Sequence, residues 1–143
     1  MYLLHTGDWI FFPMDSALSE VFPVKIPSYK ITDLNTKRNI VYTTDCEHPQ
    51  NTINHNVIEI AKETDVLIHD AHFLPEDLLA HKGWGHSTWE YATDVAMESY
   101  VKHLILFHHA PEHDDTTIDR IELNAKNKFN NVNAAHQGLL INL

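Results

Sequence analysis

Histidine dominates the chemistry available to this chain. Twelve of its 143 residues are histidine, several-fold more than an average domain carries. They are spread along the chain rather than gathered in a tag. Neutral imidazole is the commonest metal ligand, and near neutral pH it is also a ready proton donor. We expect most of the twelve to be surface or hydrogen-bonded residues, and three or four to do chemistry. Carboxylates are the natural companions of such histidines, because they neutralise cations and orient imidazoles.

Such residues act only if the fold brings them together. Three short apolar runs read as buried strands: Asn39–Thr43 (NIVYT), Asp65–His69 (DVLIH) and His103–His108 (HLILFH). A weakly alternating strand spans Val24–Leu34, with Pro27 marking an edge or bulge. Asn35 to Arg38 reads as a turn. Helical periodicity appears at Ile53, Val57, Ile58 and Ile60–Ala61, ending near Thr64. A short helix is expected over Pro75–Leu79. Ser87-Thr88-Trp89-Glu90 has capping-box spacing with Ser87 as the cap, followed by Trp89, Ala92, Ala96 and Tyr100 on one face. Asp114 and Asp115 precede a helix carrying Ile118, Ile121, Leu123 and Ala125. Two strands, near 132–135 and 139–142, follow.

Strands alternating with helices predict an α/β sheet with right-handed crossovers. In such sheets the loops after the strand C-termini build the site. That rule selects Asp45, Asp70 and His108, which follow or end the three buried runs. Plain structural alternatives stand beside each choice. Asp45 and Asp70 could serve as cap or turn residues, and His86 as a residue just before a helix cap.

Three segments, TTDCEHP (43–49), DVLIHDAHF through GHSTWE (65–90) and LILFHHAPEHDD (104–115), carry a family resemblance. Together they resemble the C-terminal half of a metallo-β-lactamase-fold hydrolase of the ribonuclease Z and phosphodiesterase-like branch. The resemblance implies half of an αββα sandwich: a mixed sheet with helices on one face. It implies a site for two metals, zinc or else manganese or iron, that activates water toward a phosphodiester or related bond. Carried over by position, Asp45 matches the carboxylate that bridges the metals and His108 the strand-end histidine ligand. His48, His109 and His113 are further candidate ligands. His86, in the GHST loop, matches the histidine that protonates the leaving oxygen, and Asp70 would orient it. The substrate implied is a phosphate-ester small molecule or an RNA end.

The family's H-x-H-x-D-H motif, which supplies most metal ligands, is missing. No two of the twelve histidines lie two apart, and Leu4–Trp9 echoes the motif only in composition. Asp45 and His108 alone are fewer than the three or four protein ligands a zinc ion takes. The expectation is therefore an incomplete site, completed by another chain, or a non-catalytic α/β remnant acting as an interaction module.

Composition narrows the rest. Acidic residues number 20 against 10 basic ones, for a net charge of −10, so general nucleic-acid binding is not expected. No apolar stretch suits a membrane span or secretory signal, and the lone Cys46 suits a reducing cytoplasm. Residues 1–23 read as an irregular aromatic segment and 24–143 as one half-domain. The apolar strands predict burial on both sheet faces. With helices on only one, a homodimer or a complementing chain is expected.

Overall fold

The computed structural model describes residues 9–13 and 28–143. Among these residues, six strands form one sheet in the order β1-β2-β3-β4-β5-β6. They are β1 (Trp9–Pro13), β2 (Ser28–Asp33), β3 (Asn39–Thr43), β4 (Val66–Asp70), β5 (His103–Phe107) and β6 (Val132–Ala134). The first three pair antiparallel and the last four parallel, giving a mixed sheet. Helix α1 (His55–Ala61) links β3 to β4, α2 (Trp89–Glu98) links β4 to β5, and α3 (Asp115–Lys128) links β5 to β6.

Every parallel connection steps to the adjacent strand in the same direction. Right-handed crossovers then place all three helices on one face, where α2 packs between α1 and α3. Strand alternation sends Val41, Leu67, Leu104, Leu106 and Val132 to that face, and all five belong to one core with Val57, Ala92, Val95, Ala96 and Ile121. Leu67, Leu104 and Leu106 are fully buried, each worth roughly 1.5–3 kcal/mol of hydrophobic stabilisation. The opposite face, which carries no helix among the described residues, includes Tyr29 and Phe107, both partly exposed.

Local chemistry sets the helix ends. Asn54 caps α1 by accepting from the Asn56 N–H, and Asp114 caps α3 by accepting from Thr117 N–H at 2.8 Å. Lys126 and Lys128 lie in the last turn of α3, where the helix dipole favours cations. At α2 the expected cap moves by one residue. Thr88, not Ser87, accepts from the Tyr91 N–H. Ser87 is held back because its N–H donates to Asp70 and its carbonyl accepts from Phe73.

Other boundaries differ in the same small way. The DVLIH run enters the sheet one residue later, so Asp70 is itself the last residue of β4. The short helix is a 3₁₀ turn at Leu78–His81 rather than Pro75–Leu79. Tyr100 and Leu123 are exposed, so neither joins the core. Residues 139–142 form no strand; they follow the Gly138 turn and gain no ladder partner among the described residues. Trp9–Pro13, inside the segment read as irregular, pairs with β2. The other residues of 1–23 and Val24–Pro27 lie outside the described residues.

Candidate metal and proton-transfer centre

Asp70 is the hub. It is fully buried at the end of β4 and its carboxylate accepts five hydrogen bonds. Oδ1 takes the backbone N–H groups of His72 (3.2 Å) and Ser87 (2.9 Å). Oδ2 takes the Asp45 N–H (3.0 Å), His86 Nδ1 (3.1 Å) and His108 Nδ1 (3.2 Å). One carboxylate thus gathers the ends of β3, β4 and β5 and the GHST loop. The strand-end rule had grouped Asp70 with Asp45 and His108, and the resemblance had given it to His86; the structure adds His72 and makes Asp70 the acceptor that joins them.

Two of the gathered residues have unusual backbones. Asp45 (φ 52°) and His108 (φ 60°) both adopt the left-handed region, which is uncommon for residues other than glycine. Such strain persists where the surroundings over-determine it, and it concentrates at functional sites. At Asp45 it turns the N–H toward Asp70. The Asp45 Oδ1 lies 3.8 Å from His108 Nδ1.

His72 is the residue that sequence reading missed. Its Nδ1 donates to the His108 carbonyl at 2.8 Å, and its ring stacks on His86 with centroids 4.2 Å apart. In a chain so rich in histidine, nothing local distinguished it. Burial lowers its pKa, which favours the neutral ring.

The donor chemistry fits a metal. His72 and His108 commit Nδ1–H to a carbonyl and a carboxylate, which leaves Nε2 as the lone-pair nitrogen of each; His86, bonded to Asp70 through Nδ1, stands beside them. Ligating histidines are oriented in this manner. One ligand atom from each of the three lies within 4.8 Å of one from the others.

A second group does not fit. Cys46, His48 and His69 are buried and close on the helix side of the sheet. The Asn54 N–H donates to His48 Nδ1 (3.1 Å), so the proton of neutral His48 sits on Nε2. That proton points at His69 Nε2 (3.3 Å), whose Nδ1–H donates to the Asp70 carbonyl (2.7 Å). The chain of donors closes with no lone pair left on His48 for a cation. His48 is therefore set apart from the Asp70 cluster and supports it from behind. Burial also pushes the Cys46 thiol up, away from thiolate. His109 and His113, the other two candidate ligands, make no hydrogen bond to Asp70. Both His109 ring nitrogens and His113 Nδ1 are buried without a partner.

Burial holds the His48 pKa down to about 3, with the neighbouring His69 ring adding to the effect, and burial lowers His69 as well. In the unfolded chain both return to about 6.5. The unfolded state then binds more protons below that pH, so stability is full above about 6.5 and falls with acidification. The loss from His48 alone is about 2 kcal/mol at pH 5. Urea unfolding at pH 7.5 and 5 should show it, and His48→Gln should flatten the difference. An identical acid loss in that variant would assign it elsewhere.

Comparison with known proteins bears on what this cluster is. The chain is similar to ribonuclease Z of Archaeoglobus fulgidus (37% identical over 109 residues, 73% of this chain and 32% of that protein). Ribonuclease Z of Sulfurisphaera tokodaii is 47% identical over 60 residues, 42% of this chain and 20% of that protein. Among solved structures, the metallo-β-lactamase fold protein YhfI from Bacillus subtilis superposes with a TM-score of 0.67 at 23% identity, over 92% of this chain and 46% of that one. The chain is a partial metallo-β-lactamase-fold protein, similar to ribonuclease Z.

Human tRNase Z, short form, has the same fold at a TM-score of 0.58 and 22% identity, covering 82% of this chain and 39% of its own. No family model matches the chain. This metallo-β-lactamase-type chain spans about a third of the length of the Archaeoglobus relative. The sheet with its helices on one face agrees with the half-sandwich architecture expected above. Among the described residues, no helix is long and apolar enough to cross a membrane.

Proposed function

We propose that the chain provides the acid-bearing half of a metal-dependent phosphodiester hydrolase. The observation that carries this reading is the buried Asp70 carboxylate joining Asp45, His86 and His108. Asp45 and His108 hold metal, with His72 as the nearest further imidazole. A metal of the zinc type, two in a complete site, supplies an activated water. The chain's own residues do the remaining work. Asp70 fixes the His86 ring through Nδ1–H, and the ring acts in its doubly protonated form, giving its Nε2 proton to the leaving oxygen and becoming neutral. Asp70 also holds the His108 ring and, through the Asp45 N–H, the turn that carries Asp45.

The substrate class is a phosphate ester, an RNA end or a smaller phosphodiester. The net charge of −10 supplies no long-range attraction for such an anion, so recognition falls to the site itself. Homologous ribonucleases Z and the diphosphatase of the PhnP family whose structure is similar (TM-score 0.57) favour this chemistry. The remaining ligands come from a second copy or a complementing chain packed on the helix-free sheet face, in the cytoplasm.

Native mass spectrometry of the purified chain tests both parts. The expected species is a dimer or hetero-complex carrying metal. A metal-free monomer after incubation with zinc or manganese would overturn the reading in favour of a non-catalytic remnant.

A further inference from the structure

The loop bearing His86 reads Lys82-Gly83-Trp84-Gly85-His86. It is short of packing: Trp84 is 66% exposed and meets the protein mainly through His81, edge to face at 4.7 Å. Yet its backbone is tied at two points to one side chain from another part of the chain. The Gly83 N–H donates to both Glu47 oxygens, at 2.8 and 2.9 Å, and the Gly85 N–H donates to Oε2 at 2.9 Å. Both glycines sit at φ +88°, where a side chain is strained whatever the space, and a Cβ there would meet nothing within 4 Å. The glycines are therefore required by conformation, not by crowding. That conformation turns two N–H groups toward one carboxylate, the arrangement by which backbone nests hold anions.

Glu47 also occupies a particular place. It lies two residues beyond Asp45, whose N–H donates to the same Asp70 oxygen that accepts His86 Nδ1. His86 is thus held twice from one region of the sheet edge. Its ring is fixed by Asp70, and the backbone just before it is fixed by Glu47. Among the described residues, Glu47 is the one carboxylate that accepts from the backbone N–H groups of Lys82–Gly85.

We propose that Glu47 is a positioning residue for His86: its carboxylate clamps the Gly83–Gly85 backbone and so sets where the imidazole stands. The proposal deepens the reading of His86 as the proton donor and rests on it for its functional meaning. It concerns Glu47 through the loop; Glu47 itself touches no reacting group.

The test uses the intact chain and two NMR readouts. The first is amide hydrogen exchange. Losing a charge-assisted pair of bonds should speed exchange at Gly83 and Gly85 by about ten- to a hundred-fold in Glu47→Ala, while Leu104 in β5 is unchanged. Glu47→Gln, which keeps one acceptor oxygen, should fall between. The second is the ¹⁵N signature of the His86 ring, which reports Nδ1 protonated and hydrogen-bonded in the parent chain. In Glu47→Ala it should move toward that of a free, tautomer-averaged imidazole, and Glu47→Gln should restore part of the shift. Unchanged exchange at the two glycines would overturn the clamp. Faster exchange with an unmoved His86 signature would overturn the positioning role. Neither outcome touches the proton-donor reading itself, which the leaving-group dependence of His86→Ala decides separately.

Discussion

In the assembled enzyme, His86→Ala is expected to lower phosphodiester cleavage by about 10²–10⁴ while bound metal stays nearly constant. That is the range for removing a positioned general acid. The geometry supports a division of labour: His86 Nδ1 is spent on Asp70 at 3.1 Å, which leaves the other nitrogen for proton transfer. A good leaving group needs no proton, so the loss should shrink with an activated aryl phosphodiester and be largest with an alkyl or ribose leaving group. Asp45→Ala should behave in the opposite sense and release metal, measured on the same preparations. Equal metal loss in both variants, or a loss in His86→Ala that ignores the leaving group, would sink the assignment.

Asp70→Asn is expected to cost roughly 3–5 kcal/mol of folding stability, the range seen when one member of a buried charged network is removed. Asparagine is nearly isosteric, so the cost comes from hydrogen-bond polarity rather than shape. Asp70 Oδ1 faces two backbone N–H groups, and Oδ2 faces one more with two imidazoles. Turned one way, the NH₂ of the new amide meets two backbone donors; turned the other way, it meets the Asp45 N–H and forces both imidazoles to change tautomer. Against a total stability of about 5–15 kcal/mol for an ordinary domain, such a loss is severe. Urea titration reads it directly. A shift below about 1 kcal/mol would mean that the loops tolerate the loss of this acceptor and that Asp70 is not the hub.

The parts of the fold that were legible in the sequence are those set by local pattern. NIVYT and HLILF are strands because apolar β-branched and aromatic residues fit a buried pleat, and β3 and β5 occupy those residues. Asp114, read as lying just before a helix, caps α3 by accepting an orphan N–H. What sequence could not show is partnership across the fold. Ser87 looks like a better cap than Thr88 until its N–H is seen to belong to Asp70, 17 residues away. The three strand-end positions pointed correctly to one sheet edge, yet Asp70 appeared as a helper to His86 because the hydrogen bonds that tie it to Asp45 and His108 come from segments remote in sequence. His72 and Glu47 carried no local signal at all. His48 was offered as a further candidate ligand, whereas a single backbone N–H from Asn54 decides its tautomer and turns its Nε2–H toward His69.

The strand order has a bearing on how the chain reaches this state. Among the described residues each strand pairs with the one before it in sequence, so the sheet can lengthen by accretion, with one helix added at each parallel step from β3 onward. No strand must wait in the middle of the sheet for a distant segment to arrive. The longest of the three crossovers, residues 71–102, closes a loop whose entropy cost grows only with the logarithm of its length. Parallel sheets fold slowly when their pairings are remote; here every pairing is with the nearest available neighbour. The centre at the strand ends is complete only when β3, β4 and β5 are all in place, because its members come from all three ends.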